Sequence, residues 1–572
     1  WVVAPGLMMR GGLEAGESSV DGGRGALRVG GVMLYGVDER FWGLVQHGGL
    51  EPPRAGEVIL SEGVAREISQ ELSVGQEVRL WMELPSAIPR DTLLGERDDD
   101  TIDLPLKVQQ VIGANSGQAR RGVGRFDVNP SQQSPKVAFV ALGTLQEALG
   151  MQERRERNRE ARRIDVFPAR VNTLFFSERA TTTDVASRVL EIQRLVRSRL
   201  TLDDLGLSLR LVPGPGYISL ESDRMVLDDA FAGSGGPAAR SPVLVHLANR
   251  LVNDQDNAKY SMYSIVAGVD PGTLAEAPFG PFASGEGKDP MTTLPDEQIV
   301  VNRWLADDLG VAVGDIVRMD YHLVGSDGEL PEETVKFRVH GIVELEGAAT
   351  DRGLTPHVPG ITDVESFQDW RQPFKMDLGK LTSRDDEYWT AHRGTPKAFV
   401  TLRTARNLWQ SRYGRMTSLR LAIEPGNEAA RESLQRSILD EFTLSDVGLG
   451  IQPIKQRGVM AASGTTPFSG LFVGFSFFLI GSATILIGLL FRLGIERRGR
   501  SIGLMTALGL TRRDVMRLHV GEGLVVVVVA GVLGCLAATG YAKVMIYGLT
   551  HWWVGAVGTT FLQLDVRPAS LA

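Results

Sequence analysis

Two long apolar runs near the C-terminus dominate the hydropathy pattern of this 572-residue chain. No charged side chain occurs between Gly458 and Phe491, and a second charge-free run covers Gly523–Ala542. About 20 apolar residues suffice for a helix to cross a bilayer, so the pattern predicts transmembrane helices over residues 467–491 and 520–544. The alternative is a pair of buried core helices in a soluble protein, which usually keep some charge.

Before the first apolar run, one series of strand-like and helix-like patterns occurs twice. The clearest match joins residues 57–80 to residues 297–319, each with a strand, a short helix, a turn at Val-Gly and a second strand. Further matches keep the same order: YGVD (35–38) with AGVD (267–270), KVAFVALGTLQEAL (136–149) with KAFVTLRTARNLW (397–409), and LTLDDLGLSLRLV (200–212) with FTLSDVGLGIQPI (442–454). Four matches in one order predict two copies of one module.

Each predicted copy ends in a strand, an amphipathic helix and another strand. In the first copy these are residues 171–176, 186–200 and 207–212, where apolar positions recur at helical spacing and then alternate. In the second copy they are TSLRLAI (417–423), a helix around Glu428–Phe442, and GLGIQPI (448–454). The sequence therefore predicts an α+β extracytoplasmic domain of two duplicated β-α-β-containing modules, followed by transmembrane helices.

Gly/Pro-rich stretches and the apolar runs set the predicted boundaries. The predicted divisions are module A (1–215), a linker (216–241), module B (242–457), a span (467–491), a cytoplasmic loop (492–518), a second span (520–544) and an extracytoplasmic segment (545–572).

The charge distribution orients the predicted spans. The chain carries a net charge of −8, which argues against binding to nucleic acid. Seven arginines and two acidic residues between Arg492 and Arg517 nevertheless make that segment strongly basic. Short basic loops stay in the cytoplasm, so we expect the residues before the first span to lie outside a bacterial inner membrane.

The ends of the chain and its cysteine content add two expectations. The first residue is Trp1, and no signal peptide follows it. We therefore expect the sequence to be a fragment of a longer multi-pass protein with a preceding span. The sole cysteine, Cys535, lies in the second apolar run and cannot cross-link the exterior part.

Searches for catalytic and metal-binding patterns are negative. The sequence contains no GxxxxGK[ST], HExxH or GxSxG pattern. The acidic stretch GERDDDTID (95–103) lacks the ligand spacing of a calcium loop and is better interpreted as a solvated hairpin. We expect neither an enzyme nor a cofactor, although an exterior enzyme tethered by membrane helices stays open as a weaker idea.

The loop between the two spans has a pattern of its own. Ile495, Ile502, Met505 and Leu508 lie at helical spacing. Gly509 is suited to end a helix, and the sequence from Thr511 to Asp514 is suited to cap the next one. The loop thus predicts a short amphipathic helix, a break and a capped helix that re-enters the bilayer. Its apolar ridge could dock in a partner's groove or lie on anionic lipid, and the pattern alone leaves both open.

The stretch FRLGIERRGRSIGLMTALGLTRRDVMRLHVGEG (491–523) resembles the signature of FtsX-like (MacB/LolC-type) ABC-transporter permeases. The matching elements, in order, are Glu496-Arg497-Arg498, Ser501-Ile502-Gly503, Ala507-Leu508-Gly509, Arg512-Arg513 and Glu522-Gly523. The resemblance covers roughly residues 467–572 and extends more loosely to the exterior part, which looks like the family's MacB-like periplasmic core. The doubled module departs from the single copy that the family leads one to expect.

The resemblance implies a permease subunit without its own nucleotide site, bound by a separate ABC-type ATPase. Ser501–Gly509 would be the coupling helix, in which Gly503 and Ala507 allow close approach. Ile502, Leu504 and Leu508 would supply buried area. Lipid phosphates or acidic ATPase residues would bind the arginines of the loop: Arg497, Arg498, Arg512 and Arg513.

The resemblance further implies that ATP-driven movement is transmitted across the membrane to export or extract a lipid-linked or hydrophobic substrate. Gly470 and Gly474 form a GxxxG pair that would permit tight helix packing, and a homodimer or heterodimer of permease subunits is expected. The alternative is a non-transporting signalling scaffold that activates a periplasmic partner, such as a peptidoglycan hydrolase.

Overall fold

The computed structural model describes most of the chain. The described residues are 1–15, 27–45, 47–68, 72–83, 101–112, 122–130, 134–158, 163–178, 184–236, 238–285, 287–323, 330–358, 361–367, 370, 376–411, 414–424, 426–463, 468–552 and 564–566. They belong to two compact units. The first comprises Trp1–Met82, Thr101–Thr183 and Pro453–Ala572, and the second is built mainly from Asp184–Gln452.

The elements follow one another in this order. The strands are β1 (Val2–Ala15), β2 (Leu27–Val37), β3 (Glu57–Ser61), β4 (Glu77–Glu83), β5 (Thr101–Ile112), β6 (Val137–Ala141), β7 (Arg154–Asn158), β8 (Arg163–Phe167), β9 (Thr173–Ser177), β10 (Leu207–Val212), β11 (Tyr217–Ser222), β12 (Arg240–Asn253), β13 (Asp256–Val269), β14 (Gln298–Asn302), β15 (Ile316–His322), β16 (Glu332–Val343), β17 (Ala398–Thr401) and β18 (Ser418–Leu421). The α-helices are α1 (Glu39–Trp42), α2 (Glu62–Ile68), α3 (Leu142–Ala148), α4 (Val185–Arg197), α5 (Arg303–Leu309), α6 (Ser383–His392), α7 (Leu402–Trp409), α8 (Glu428–Glu441), α9 (Ile454–Ser463), α10 (Phe468–Arg497), α11 (Gly499–Ala507) and α12 (Arg512–His551).

The sheet of the first unit closes on itself. Its strand order is β2-β6-β3-β5-β4-β1, and β1 pairs with both β2 and β4. β9 pairs antiparallel with Val2–Gly6, the N-terminal part of β1. One core cluster contains Tyr35, Phe41 and Phe139, and Ile454 of α9 packs against this cluster. The helix that leads into the apolar segment is therefore anchored in the core of this unit.

The second unit has the same strand order and the same pairing directions. The order is β13-β17-β14-β16-β15-β12, closed because β12 pairs with both β13 and β15. In each unit the second strand pairs parallel with the sixth, and the third pairs parallel with the fifth. The parallel register shifts between Val58 and Ile59 in one unit and between Ile299 and Val300 in the other. The two closed sheets thus share their strand order, the directions of their strand pairs and the position of one register shift.

Local sequence explains the short helix that follows the third strand of the second sheet. The side chain of Asn302 accepts a hydrogen bond from the Leu305 backbone N–H at 2.8 Å and caps α5. Gly310 ends the helix with a φ of 59°, a conformation that a residue with a β-carbon rarely adopts.

The structure divides the chain at a different place from the one predicted. The N-terminal part of the first unit ends at Thr183, so α4 and β10 belong to the second unit. The predicted linker 216–241 is wrong, because β11 lies within it. All six residues of β11 are buried, and this strand pairs with β10 on one side and β18 on the other. The predicted strand at 448–454 does not form, since residues 448–453 lie outside any strand. Pairing within a sheet therefore outweighed the Gly/Pro pattern.

Two of the C-terminal helices are long and apolar enough to cross a membrane. These candidate spans cover Gly474–Arg497 and Arg512–Leu549. Their apolar side chains are largely exposed in the isolated chain, with Phe478 and Val526 as examples. Both helices are longer than the predicted spans. α10 continues to Arg497 and α12 begins at Arg512, because arginine favours a helix.

Candidate functional site

The segment between the two apolar helices is a compact helical hairpin. We call residues 491–523 the coupling hairpin, since this segment carries the sequence pattern described above. α10 ends at Arg497, and Arg498 has φ −94° and ψ 13° at the start of α11. A first break therefore separates the apolar helix from the short helix that follows it.

A second break separates α11 from α12. Gly509 has a φ of 97°, which suits glycine because it lacks a β-carbon. The backbone N–H of Leu510 donates to the carbonyl of Met505 at 3.2 Å, which satisfies one of the last carbonyls of the helix. Thr511 and Asp514 then form a reciprocal capping box at the start of α12. The predicted helix, break and capped helix are confirmed.

One face of α11 is turned toward the first turns of α12. Ile502 and Met505 are partly buried, and Val515 and His519 on α12 are buried. The pairs are three and four residues apart, so each pair shares one helical face. The two helices are in contact. Ile502 was predicted to contact a partner, but its burial within the hairpin removes much of its surface from that role.

The opposite face of α11 remains available. Leu504 and Leu508 are 64% and 74% exposed, and Ser501 and Ala507 are also exposed. A β-carbon built on Gly503 would meet no heavy atom within 4 Å. The exposed side chains of Arg497, Arg512 and Arg513 flank this face at the two ends of the helix. The result is a small apolar ridge with a basic border.

The structure assigns Arg498 differently from the other predicted arginines. Its guanidinium Nη1 lies 2.5 Å from Oε2 of Glu522, so it pairs within the chain. Next to that pair, Phe491 of α10 packs on Gly523 of α12. Sequence reasoning included Glu522-Gly523 in the family pattern but did not assign these contacts. The pattern marks the positions without revealing which residues they meet.

Of the predicted GxxxG pair, only Gly474 has described surroundings, and it does not contact another helix of this chain. A β-carbon on Gly474 would have no heavy atom of this chain within 4 Å. The surroundings of Gly470 lie outside the described residues. The close approach of α10 and α12 occurs instead at Phe491 and Gly523.

The described residues contain no group of three or more His, Cys, Asp or Glu side chains that could hold a metal ion. The acidic stretch at 95–103 lies outside the described residues up to Asp100. A buried cluster in the second unit joins Lys397 Nζ to Asp385 Oδ1 at 2.9 Å and to Ser261 Oγ at 2.8 Å. These side chains are almost fully buried, so we interpret the cluster as structural.

Two comparisons with known proteins gave a match. Residues 473–566 match the family described as FtsX-like permease C-terminal. Among solved structures, the periplasmic region of MacB from Actinobacillus actinomycetemcomitans matches 44% of this chain and 95% of its own, with 12% sequence identity and a TM-score of 0.22. No curated protein sequence matches the chain.

The family match covers the whole coupling hairpin and nearly all of both apolar helices. It confirms the resemblance seen in residues 491–523. The C-terminal part of the chain, residues 473–566, is therefore similar to FtsX-like permeases.

Proposed function

We propose that this protein is the permease subunit of a bacterial ABC system and that a separate ABC-type ATPase binds its coupling hairpin. The observation that carries the proposal is the exposed ridge on α11, where Leu504 and Leu508 face away from α12. Two breaks in the helix hold this ridge at the tip of the hairpin. An apolar ridge on a helix is suited to a groove on a partner.

The borders of the ridge fit an acidic groove. Arg497, Arg512 and Arg513 are exposed beside it, and guanidinium groups bind carboxylates in bidentate geometry. Gly503 lets a partner backbone approach α11 closely because no side chain lies there. Anionic lipid would attract the same arginines, but lipid alone gives no role to a glycine next to the exposed Leu504.

We further propose that the two apolar helices span the inner membrane, with the coupling hairpin in the cytoplasm and both units outside. The basic charge of the hairpin supports this orientation. α12 has 40 residues without interruption and is therefore about 60 Å long. A helix of that length could carry movement from the hairpin to the far side of the bilayer.

Transmission to the first unit would pass through α9. Ile454 of α9 packs against the core cluster of that unit, and α9 immediately precedes α10 in the chain. We propose that closure of the ATPase moves the spans and thereby the extracytoplasmic units. By family resemblance, the movement would extract or export a lipid-linked or hydrophobic substrate, and permease subunits would act in pairs.

We also propose that the two closed sheets are copies of one ancestral module. The shared strand order and the equivalent register shifts at Ile59 and Val300 support this origin. A single copy would suffice for a family member of the expected type. The second copy would enlarge the surface available to cargo or to a periplasmic partner.

Co-purification from detergent tests the ATPase interface. The wild-type chain should recover an ATPase that carries the GxxxxGK[ST] pattern, whereas Leu508→Asp and Gly503→Arg should each lose it. Val313→Asp is a matched control, because Val313 is an exposed apolar residue of the second unit. Full recovery with the double variant Gly503→Arg/Leu508→Asp would refute the interface.

Reconstitution with the ATPase in vesicles tests the transport part of the proposal. We expect ATP turnover to release a labelled lipid-linked cargo from the membrane. Turnover without any release would contradict the transport role while leaving the ATPase interface intact.

A further inference from the structure

An ion pair joins the first break of the coupling hairpin to the second apolar helix. Arg498 is the residue between α10 and α11, and its Nη1 lies 2.5 Å from Oε2 of Glu522 on α12. The two residues are 24 positions apart in the sequence. Glu522 lies about three helical turns after the start of α12 at Arg512. The ion pair therefore connects the break before α11, which we call the hinge, to α12 at a point well away from Thr511.

The surroundings of this pair increase its expected strength. Glu522 directly precedes the charge-free run Gly523–Ala542, so it lies where the apolar part of the helix begins. Phe491 packs on Gly523, the residue next to Glu522, while the side chains of Arg498 and Glu522 are 58% and 55% exposed in the isolated chain. An unpaired carboxylate at the edge of hydrocarbon is costly, and the attraction between opposite charges grows as the effective dielectric constant falls.

A second ion pair of the hairpin provides a contrast. Arg492 and Glu496 lie 3.1 Å apart, but they are one turn apart on α10 itself. A pair within one helix cannot hold one element against another. The link between elements is therefore particular to Arg498 and Glu522.

We propose that Arg498 and Glu522 are positioning residues that fix α11 to α12, so that the tip of the hairpin and the second apolar helix move as one body. This inference rests on the proposed function, since it concerns how force at α11 reaches the spans. With the hinge tied, displacement of the ridge at Leu504 and Leu508 moves α12. With the hinge released, α11 swings on its two breaks at Arg498 and Gly509 and the displacement is lost.

Charge reversal tests the pair. Arg498→Glu and Glu522→Arg each place like charges together, and the double variant restores an opposite pair. Because Leu504 and Leu508 are unchanged, we expect ATPase co-purification within about twofold of wild type, but cargo release per ATP reduced about fivefold or more, the low end of usual coupling between sites. The double variant should recover at least half of the wild-type release. Arg492→Glu and Glu496→Arg are the matched controls and should leave release unchanged.

A distance measurement separates this inference from the proposed function, because it needs no ATPase. Spin labels on Leu508→Cys and Val528→Cys, in a Cys535→Ser background in nanodiscs, report how α11 is held relative to α12. We expect a narrow distance distribution in the wild-type background, a broad one with Arg498→Gln or Glu522→Gln, and a narrow one with the double reversal. Equal widths in all of these proteins would overturn the inference, whether or not an ATPase binds.

Discussion

The ring of Phe491 on α10 lies against Gly523 on α12. A β-carbon at position 523 would lie only 2.9 Å from Cε2 of Phe491, closer than packed atoms normally approach. Glycine is therefore the residue that lets the two apolar helices meet at the end that carries the arginines. Gly523 directly follows Glu522, the residue that pairs with Arg498. The packing contact and the ion pair therefore lie at the same position along α12.

A larger side chain at position 523 should push the helices apart. We expect Gly523→Leu to lower stability by about 1–3 kcal/mol, because overpacking a close contact forces its neighbours to move. Gly531→Leu is the control, since a β-carbon on Gly531 meets no heavy atom of the chain within 4 Å. Thermal unfolding of the purified protein in detergent measures both. An equal loss of stability from the two changes would show that the contact between Phe491 and Gly523 does not stabilise the packing of α10 on α12.

The orientation of the hairpin can be measured in whole cells. In a Cys535→Ser background, we expect Leu508→Cys to react with a membrane-impermeant thiol reagent only after the inner membrane is permeabilised. Val313→Cys, which is exposed in the second unit, should react once the outer barrier alone is opened. The reason is that basic segments stay on the cytoplasmic side. Labelling of residue 508 in intact cells would contradict both the orientation and the proposed ATPase interface.

The buried pair in the second unit should be sensitive to the loss of one partner. Lys397 and Asp385 are almost fully buried, so Lys397→Met leaves a carboxylate without its compensating charge. We expect a loss of about 3–5 kcal/mol in the free energy of unfolding. The double change Lys397→Met/Asp385→Asn should recover part of that loss, because no buried charge remains.

The control for this prediction is Arg403→Met. Arg403 is 79% exposed and lies 3.3 Å from Asp296, and exposed pairs contribute about 1 kcal/mol at most. Urea unfolding followed by circular dichroism compares the variants. Similar losses for Lys397→Met and Arg403→Met would contradict the assignment of a structural role to the buried cluster.

His246 should make the second unit sensitive to acid. Its imidazole stacks on Trp409 with ring centres 5.0 Å apart, and burial lowers its pKa from 6.5 to about 4. The unfolded chain therefore binds a proton more readily between these values, and stability present above pH 6.5 is lost as the pH falls toward 4. A difference of this size corresponds to about 3 kcal/mol.

Replacement of His246 by Phe tests this dependence. His246→Phe keeps an aromatic ring beside Trp409 and removes the titrating nitrogen. We expect the midpoint of urea unfolding to become less dependent on pH between 4 and 6.5 than in the wild-type protein. An unchanged pH profile would mean that other groups dominate acid sensitivity in this range.

The local design of the coupling hairpin could be read from the sequence, because its signals act over a few residues. Gly509 and the Thr511–Asp514 cap set the second break through backbone geometry and hydrogen bonds between near neighbours. The same short-range signals predicted the strand and short helix at 57–68 and their counterparts at 298–309. The domain boundary was missed because a buried strand, β11, lies in a segment whose glycines and prolines suggested a linker.

By itself, the sequence determined the two apolar helices, the charge of the segment between them, the breaks around α11 and the family signature, since each depends on composition or on residues close in the chain. Only the tertiary structure decided that each sheet closes, that β11 pairs with β18, that Ile502 is partly buried, and that Arg498 pairs with Glu522. Those outcomes depend on which distant segments pack together, and many different segments carry apolar or charged residues able to do so.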